Sequence, residues 1–450
     1  MRTLSLSAAF THDLAQQLAV ADQALSQVYP GDPGRRQPVH TAYVGAHLFH
    51  ADLAARWGSQ ALAALAEHAP EPADLAHAIG LPADLAEAIY PRIVEKLRRE
   101  PIEDLRLDFE DGYGNRPEPE EDAHARAAAE ALVESMEAGG LPPFVGIRIK
   151  PFSADLAARA IRTLDLFLTA VVTGSGGRLP DGFVVTLPKV KLAAQVTALA
   201  DLLDRLEAAL SLAPGTVRLE IMVETTQSIL DVEGRIQLRQ LAEAGRGRTS
   251  GAHFGTYDYT TSLEITAAYQ TMDHPACDLA HQLMQVALAG TGVWLSDGST
   301  NVLPVGAKEA VQAAWRLHCG HVRHSLAAGL YQGWDLHPAQ LPTRYAAIYA
   351  FFLEGLSAAS VRLSNFVAQA AQATLAGSVL DDAATGQALL NYFLRAVQCG
   401  ALAEQEALAR TGLTLPELRG RSFADILRGR RGGTIEASIT SLRSYAEMVE

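Results

Sequence analysis

Residues 144–190 read FVGIRIKPFSADLAARAIRTLDLFLTAVVTGSGGRLPDGFVVTLPKV. A short β-branched run (144–149) leads into an Ala/Leu-rich amphipathic stretch (154–171), and a second short apolar run (183–187) follows it. A periodicity near two thus gives way to one near 3.6 and returns, which predicts strand, helix and strand. A helix of that length can carry the chain back over a sheet, so the two strands are expected to lie parallel.

The same alternation extends in both directions. Strands are expected at 39–45, 105–109, 144–149, 183–187, 217–223, 250–254, 292–296 and 333–337, with helical segments such as 51–67, 122–138, 191–210, 227–244, 276–289 and 307–328 between them. Eight strands with crossing helices predict an α/β fold, a (β/α)8 TIM barrel, over residues 39–340. The eighth strand rests on the poorest strand formers, Gly333 and Asp335. Residues 1–38 are expected to form a helix (13–28) and a Pro/Gly linker, 70–100 a helical insertion in the first βα unit, and 341–450 a C-terminal helical region with a tail.

Composition narrows the function classes. The 450 residues are 48% hydrophobic and 20% charged, as in a folded protein with a sizeable core. The 37 Lys and Arg against 51 Asp and Glu give a net charge of −14, which repels phosphate backbones and anionic lipid and argues against nucleic-acid or membrane-surface partners. A small anionic substrate stays compatible, because one Arg or one bound cation can reverse the field inside a pocket. Cys277, Cys319 and Cys399 are too widely spaced for a disulfide framework or a CxxC site, which fits a reducing cytoplasm. Neither a membrane span nor a cleaved signal is expected.

Barrel enzymes carry their chemistry at the C-terminal ends of strands, so the polar residues there are the candidates. Strand two ends in Asp108-Phe109-Glu110-Asp111-Gly112, strand three in Arg148 and Lys150, strand four in Pro188-Lys189. Strand five ends in Glu224, strand six in Gly255-Thr256-Tyr257-Asp258, and strand eight in His337. Glu224 follows the apolar run Leu219-Glu220-Ile221-Met222-Val223, where a buried carboxylate needs a cation or its own proton. Glu224 and Asp258 on neighbouring strands offer a hard divalent ion such as Mg²⁺ two oxygen ligands and leave positions open for a substrate. The alternative is that Glu224 forms a salt bridge with Arg148 or Lys189 while Asp258 caps a helix. Arg148 presents a bidentate fork either to a substrate oxygen or, structurally, to Asp108 or Glu110. His47, just after strand one, is within reach of the barrel mouth.

In order along the chain, DFEDG, VGIRIK, TLPKV, IMVETTQSI, FGTYDYT and WDLHPAQ resemble the motifs of the HpcH/HpaI aldolase and citrate lyase beta-subunit family, with features similar to the malate synthase branch of that superfamily. The resemblance runs from about Val39 to Gln340. It implies Mg²⁺ (or Mn²⁺) held by Glu224 and Asp258 and chelating an α-keto acid. Arg148 would be on the keto oxygen or carboxylate, and Lys189, Gly255, Thr256 and His47 would be among the substrate contacts. Asp111 stands where the aldolase branch has His, and an Asp of the C-terminal segment, Asp381 or Asp382, would complete the catalytic set. The implied chemistry is carbon–carbon bond cleavage through an enolate, on a small keto or hydroxy acid or its CoA thioester. A condensing reaction of the malate synthase type, or a non-catalytic barrel serving as a binding subunit, are the alternatives, and a trimer or hexamer is the implied assembly. His318, His321 and His324 are set aside as a partly exposed helix and Asp297-Gly298 as a turn.

Overall fold

The computed structural model describes residues 5–31, 35–368, 374–376, 379–381, 383–420, 423, 425–426 and 429–430. Eight parallel strands form one sheet: β1 His40–Gly45, β2 Asp104–Asp108, β3 Phe144–Arg148, β4 Val184–Leu187, β5 Arg218–Val223, β6 Thr249–Phe254, β7 Trp294–Ser296 and β8 Gly333–Asp335. Their order, β7-β6-β5-β4-β3-β2-β1-β8, is that of a barrel unrolled at one seam. The seam is nearly closed by a single bridge between Ser299 and Trp334, with the Trp334 N–H donating to Gly298 O at 2.9 Å and the Asp297 N–H to Gln332 O at 2.8 Å. All eight expected strands are present, and the fold is the α/β TIM barrel that the alternation predicts.

The quoted segment shows how the sequence builds this. Helix Ala157–Gly174 buries Ala160, Thr163, Leu164, Phe167, Leu168 and Val171, a stripe of period 3.6. Phe167 packs on Phe183 at 6.1 Å and on Phe109 at 6.4 Å, tying helix to strands.

The barrel interior is charged as well as apolar. Above a cluster of Tyr43, Met222 and Trp334 lies the mouth; deeper, Arg106 is fully buried and gives Nη2 to Asp104 Oδ2 at 2.8 Å and to Glu220 Oε2 at 2.9 Å. Glu220 also faces His253 Nε2 at 3.1 Å and accepts from the Thr186 hydroxyl at 3.0 Å. Burial works against its charge, yet Arg106 and His253 hold Glu220 down at about 2. Gly146 is required here, because a Cβ would stand 2.2 Å from Val184 O and 2.3 Å from Arg106 Nη1.

Contacts gather the chain into two compact units, Met1–Arg56 with Ile102–Asn301 and Gly329–Leu336, and Trp57–Pro101 with Val302–Ala328 and His337–Glu450. The first contains the barrel strands. The second gathers the 70–100 insertion (helices Pro72–Ile79 and Ala83–Arg99), helix Lys308–Ala327 and the C-terminal helices, so it cuts across the expected boundary at 340. At its centre helix Leu341–Glu354 is almost wholly buried, with the Tyr345 hydroxyl on Pro101 O at 3.0 Å and Trp315 Nε1 on Ala339 O at 2.7 Å. This packing corrects one expectation: His318 and His321 are buried, not part of an exposed face, and His318 Nδ1 lies 2.7 Å from the Thr343 hydroxyl. Among the described residues no single helix is long and apolar enough to cross a membrane. The N-terminal helix spans Ala8–Val28, five residues longer at its start than expected, because the Ser7 side chain caps it by accepting the Phe10 N–H at 3.2 Å.

Candidate active site at the barrel mouth

The DFEDG turn after β2 sets the geometry. Asp108 accepts the N–H groups of Glu110 at 2.9 Å and Gly112 at 2.7 Å, which curls the turn over its own carboxylate. Only glycine fits at 112, since a Cβ would come within 2.6 Å of Asp108 Oδ2. Arg148, at the end of β3, grips the same carboxylate with Nε at 2.7 Å and Nη2 at 2.5 Å. Its Nη1 reaches Glu110 Oε2 at 3.1 Å, and its guanidinium stacks over Tyr43 at 4.8 Å and Trp334 at 5.9 Å. The fork therefore lies on Asp108 and Glu110, one of the two roles the sequence allows, and one edge of the guanidinium, Nη1, faces the mouth residue Glu110.

Lys189 follows β4 with a left-handed backbone, φ 51°. This conformation, costly for a non-glycine residue, turns its N–H onto Glu224 Oε1 at 2.5 Å. Its ammonium meets Glu110 in a close contact, Asp111 Oδ2 at 3.1 Å and Asp258 Oδ2 at 3.2 Å. Glu224, at the end of β5, is buried against Gly255, where a Cβ would stand 2.5 Å from Glu224 Oε2. Asp258 lies in the first turn of helix Thr256–Ser262 and is partly exposed.

Five carboxylates (Asp108, Glu110, Asp111, Glu224, Asp258) thus meet two cations, Arg148 and Lys189. The neighbouring Lys150 is committed elsewhere, to Phe109 O at 2.7 Å and Glu121 at 3.1 Å. The imbalance shows in proton affinities. Burial, then Glu110 and Asp258, push Glu224 up to about 8. Burial also raises Glu110 against the pull of Arg148 and Lys189. For Lys189 burial opposes the charge, but Glu224, Glu110 and Asp111 outweigh it and hold the ammonium well above the usual lysine range. Asp111 resists its own partial burial and is lowered by Lys189 and Arg148, so it is a carboxylate at neutral pH.

A cavity of about 280 Å³ opens beside this cluster, between Glu110, Asp111, Asn115, Lys150, Leu156 and Lys189. The Thr256 hydroxyl is buried with no hydrogen-bond partner among the described residues, pressed against Gly298, whose Cβ would come within 2.5 Å of it. His47 is half-buried, 5.4 Å from the Tyr113 ring and 6.0 Å from His124. Burial, then Arg116 and His124, lower its proton affinity.

Of the residues expected at the site, Arg148, Asp111, Lys189, Glu224 and Asp258 converge, Gly255 and Thr256 adjoin them, and His47 borders the DFEDG loop. Asp381 ends the short strand Val379–Asp381, its side chain outside the described set, and Asp382 lies outside the described residues. Glu110, expected only as a strand-end acid and a partner for Arg148, also meets Lys189 and so joins the two cations. Asp297, expected in a simple turn, is fully buried and lies 3.0 Å from His281 Nε2, because the chain there forms the inner lip of the barrel seam.

A metal fits this donor set in charge and in kind. Its oxygens are hard, and Glu224, its proton affinity raised by burial and by the neighbouring Glu110 and Asp258, would be relieved by a bound cation. Among the described residues no three His, Cys, Asp or Glu side chains are grouped to hold an ion unaided, so water or substrate oxygens must complete the shell. For Asp258 to serve as a ligand, Lys189 has to release it.

The model of one family, described as Domain of unknown function (DUF6986), matches residues 18–426. The chain belongs to this family. No curated protein sequence matches it. Among solved structures it is similar to a citrate lyase of Burkholderia xenovorans LB400, at 21% identity and a TM-score of 0.55 over 72% of this chain and 92% of that one. A Haloferax volcanii malate synthase in a magnesium/glyoxylate complex aligns at 14% identity and a TM-score of 0.46 over 86% of this chain and 98% of that one. For this DUF6986 member the likeness to the citrate lyase is one of fold.

Proposed function

We propose that this protein is a Mg²⁺-dependent carbon–carbon lyase that acts through an enolate on a small keto or hydroxy acid, free or as a CoA thioester. The observation that carries the proposal is the excess of carboxylate at the barrel mouth, five against Arg148 and Lys189, centred on a Glu224 that burial, with Glu110 and Asp258 beside it, pushes up to about 8. The ordered motifs shared with the citrate lyase beta-subunit family, and the barrel that places them at strand ends, support it.

Glu224 and Asp258 would hold the ion, which when bound polarises a substrate carbonyl and steadies negative charge on its oxygen. Arg148 is fixed by Asp108 so that Nη1 is its one edge turned toward Glu110 at the mouth; that edge binds a substrate carboxylate or oxygen in competition with Glu110. Lys189, once off Asp258, presents its ammonium to the same anionic substrate. Asp111, ionised and at the cavity rim, accepts the proton of a substrate hydroxyl at Oδ1 or Oδ2. The cytoplasm, where thiols stay reduced, is the proposed location.

The test is cleavage of malyl-CoA, citramalyl-CoA and free 4-hydroxy-2-keto acids, with and without Mg²⁺, alongside condensation of acetyl-CoA with glyoxylate. Metal-dependent cleavage that is lost in Glu224→Gln is the expected result. Turnover only in the condensing direction replaces the lyase with the malate synthase-like reading. No turnover together with no calorimetric heat for Mg²⁺ and oxaloacetate leaves a barrel that only binds.

A further inference from the structure

Helix Ala8–Val28 buries none of its residues. Its apolar side chains are nevertheless ordered. Leu14, Leu18, Ala21, Leu25 and Val28 recur at alternating intervals of four and three, and Phe10 continues the same face toward the N-terminus. At the angular step of an α-helix these six form one stripe, while His12, Gln16, Ala19 and Gln23 lie on the other side. Alternating four-three spacing is that of a seam whose side chains insert between those of a facing helix.

The exposures decide that the barrel unit does not cover this seam: Phe10 is 53% exposed, Leu14 45%, Leu18 58% and Leu25 57%. The helix is fastened at its C-terminal end, where the Gly31 N–H donates to Gly290 O at 2.8 Å and Arg239 stacks on the Tyr29 ring at 4.3 Å and donates to Val28 O at 3.3 Å. A lone helix of this length is marginal in water and draws its stability from packing of its apolar face.

We infer that this stripe is the contact through which two copies of the chain associate, helix against helix. From Phe10 to Val28 the seam reads Phe, Leu, Leu, Ala, Leu, Val, so a second copy presents an apolar face of the same kind to it. The exposed area of Phe10, Leu14, Leu18, Ala21, Leu25 and Val28, roughly 500 Å² per copy, gives about 1,000 Å² between two copies, the lower bound of a specific interface. Its charge argues against a lipid surface: the helix carries Asp13 and Asp22 and no Lys or Arg, whereas helices that lie on anionic membranes are rich in both. The inference is independent of the chemistry proposed at the barrel mouth.

Light scattering and sedimentation of the full-length protein at tens of micromolar test it. The triple variant Leu14→Glu/Leu18→Glu/Leu25→Glu is expected to halve the particle mass while the barrel keeps its thermal unfolding transition. The polar-face variant Gln16→Glu/Gln23→Glu is expected to leave the mass unchanged. Independently, Leu18→Cys is expected to give a dimer-sized disulfide species under mild oxidation, a clean readout because Cys277, Cys319 and Cys399 are buried. A wild-type monomer, an unchanged mass in the folded triple variant, or a helix captured by anionic vesicles instead of a second copy overturns the inference.

Discussion

One barrel holds two charged clusters built from similar residues and resolved in opposite ways. In the interior, Asp104 and Glu220 both accept from Arg106, and Glu220 also faces His253, all of them buried. At the mouth five carboxylates share Arg148 and Lys189 beside an open cavity. The interior set is sealed off and specifies packing, even with Asp104 Oδ1 and Arg106 Nε and Nη1 lacking a hydrogen bond among the described residues; the mouth set has affinity left over for something the chain does not supply. Carboxylate in excess beside an open cavity separates the chemical cluster from the structural one here.

The sharpest way to break the comparison is Arg106→Met. Removing the cation strands two buried carboxylates, so stability is expected to fall by ~3–5 kcal/mol in urea unfolding, with Mg²⁺ affinity little changed in whatever remains folded. A loss below about 1 kcal/mol would mean the interior set does not act as a unit. Glu224→Gln at the mouth is the counterpart. It is expected to keep the fold and to lower metal-dependent turnover by ~100-fold or more, about 2.7 kcal/mol in the transition state. Wild-type rates in this variant would remove Glu224 from the chemistry.

A pH titration distinguishes the clusters without altering the interior. Glu224 is raised from an ordinary 4.5 to about 8, so between those values the unfolded chain has released a proton the fold retains. Stability of the metal-free protein therefore falls as pH rises through that window, by up to ~5 kcal/mol, and the fall is expected to flatten in Glu224→Gln. Identical pH profiles for the two proteins would refute the assignment. Added Mg²⁺ should release protons over the same range, which calorimetry in buffers of different ionisation enthalpy measures. The smallest effect is expected for Lys189→Met. With the resident ammonium gone, Mg²⁺ is expected to bind ~10-fold more tightly, about 1.4 kcal/mol, while the metal-free protein loses stability toward alkaline pH. Weaker metal binding would make Lys189 a helper of the ion instead of its competitor.

The sequence carries the barrel in plain view, since β-branched runs bounded by Gly and Pro alternate with long amphipathic stretches. Even β8, on Gly333 and Asp335, forms, because the strand beside it and the Trp334 N–H supply pairing that local preference does not. The mouth was legible for the same reason: Arg148, Lys189, Glu224 and Asp258 stand where strands stop. The interior was not. In Asp104-Leu105-Arg106-Leu107-Asp108 the alternation places three charges on one face, which reads equally as a solvated edge, and only closure of the sheet turns that face inward. Contacts such as that of His281 Nε2 with Asp297 Oδ1, made between a helix and the loop after the next strand, left no local signal at all.

The barrel's circle is welded at one point only. Where β7 and β8 meet, three-residue strands and two main-chain hydrogen bonds take the place of a full ladder. Stress applied to such a ring concentrates at its thinnest joint, so amide protons of residues 294–299 and 333–335 should exchange with deuterium ahead of those in β2 to β5. That slit is then the natural place to cut the polypeptide for circular permutation, leaving the staves that carry the mouth intact.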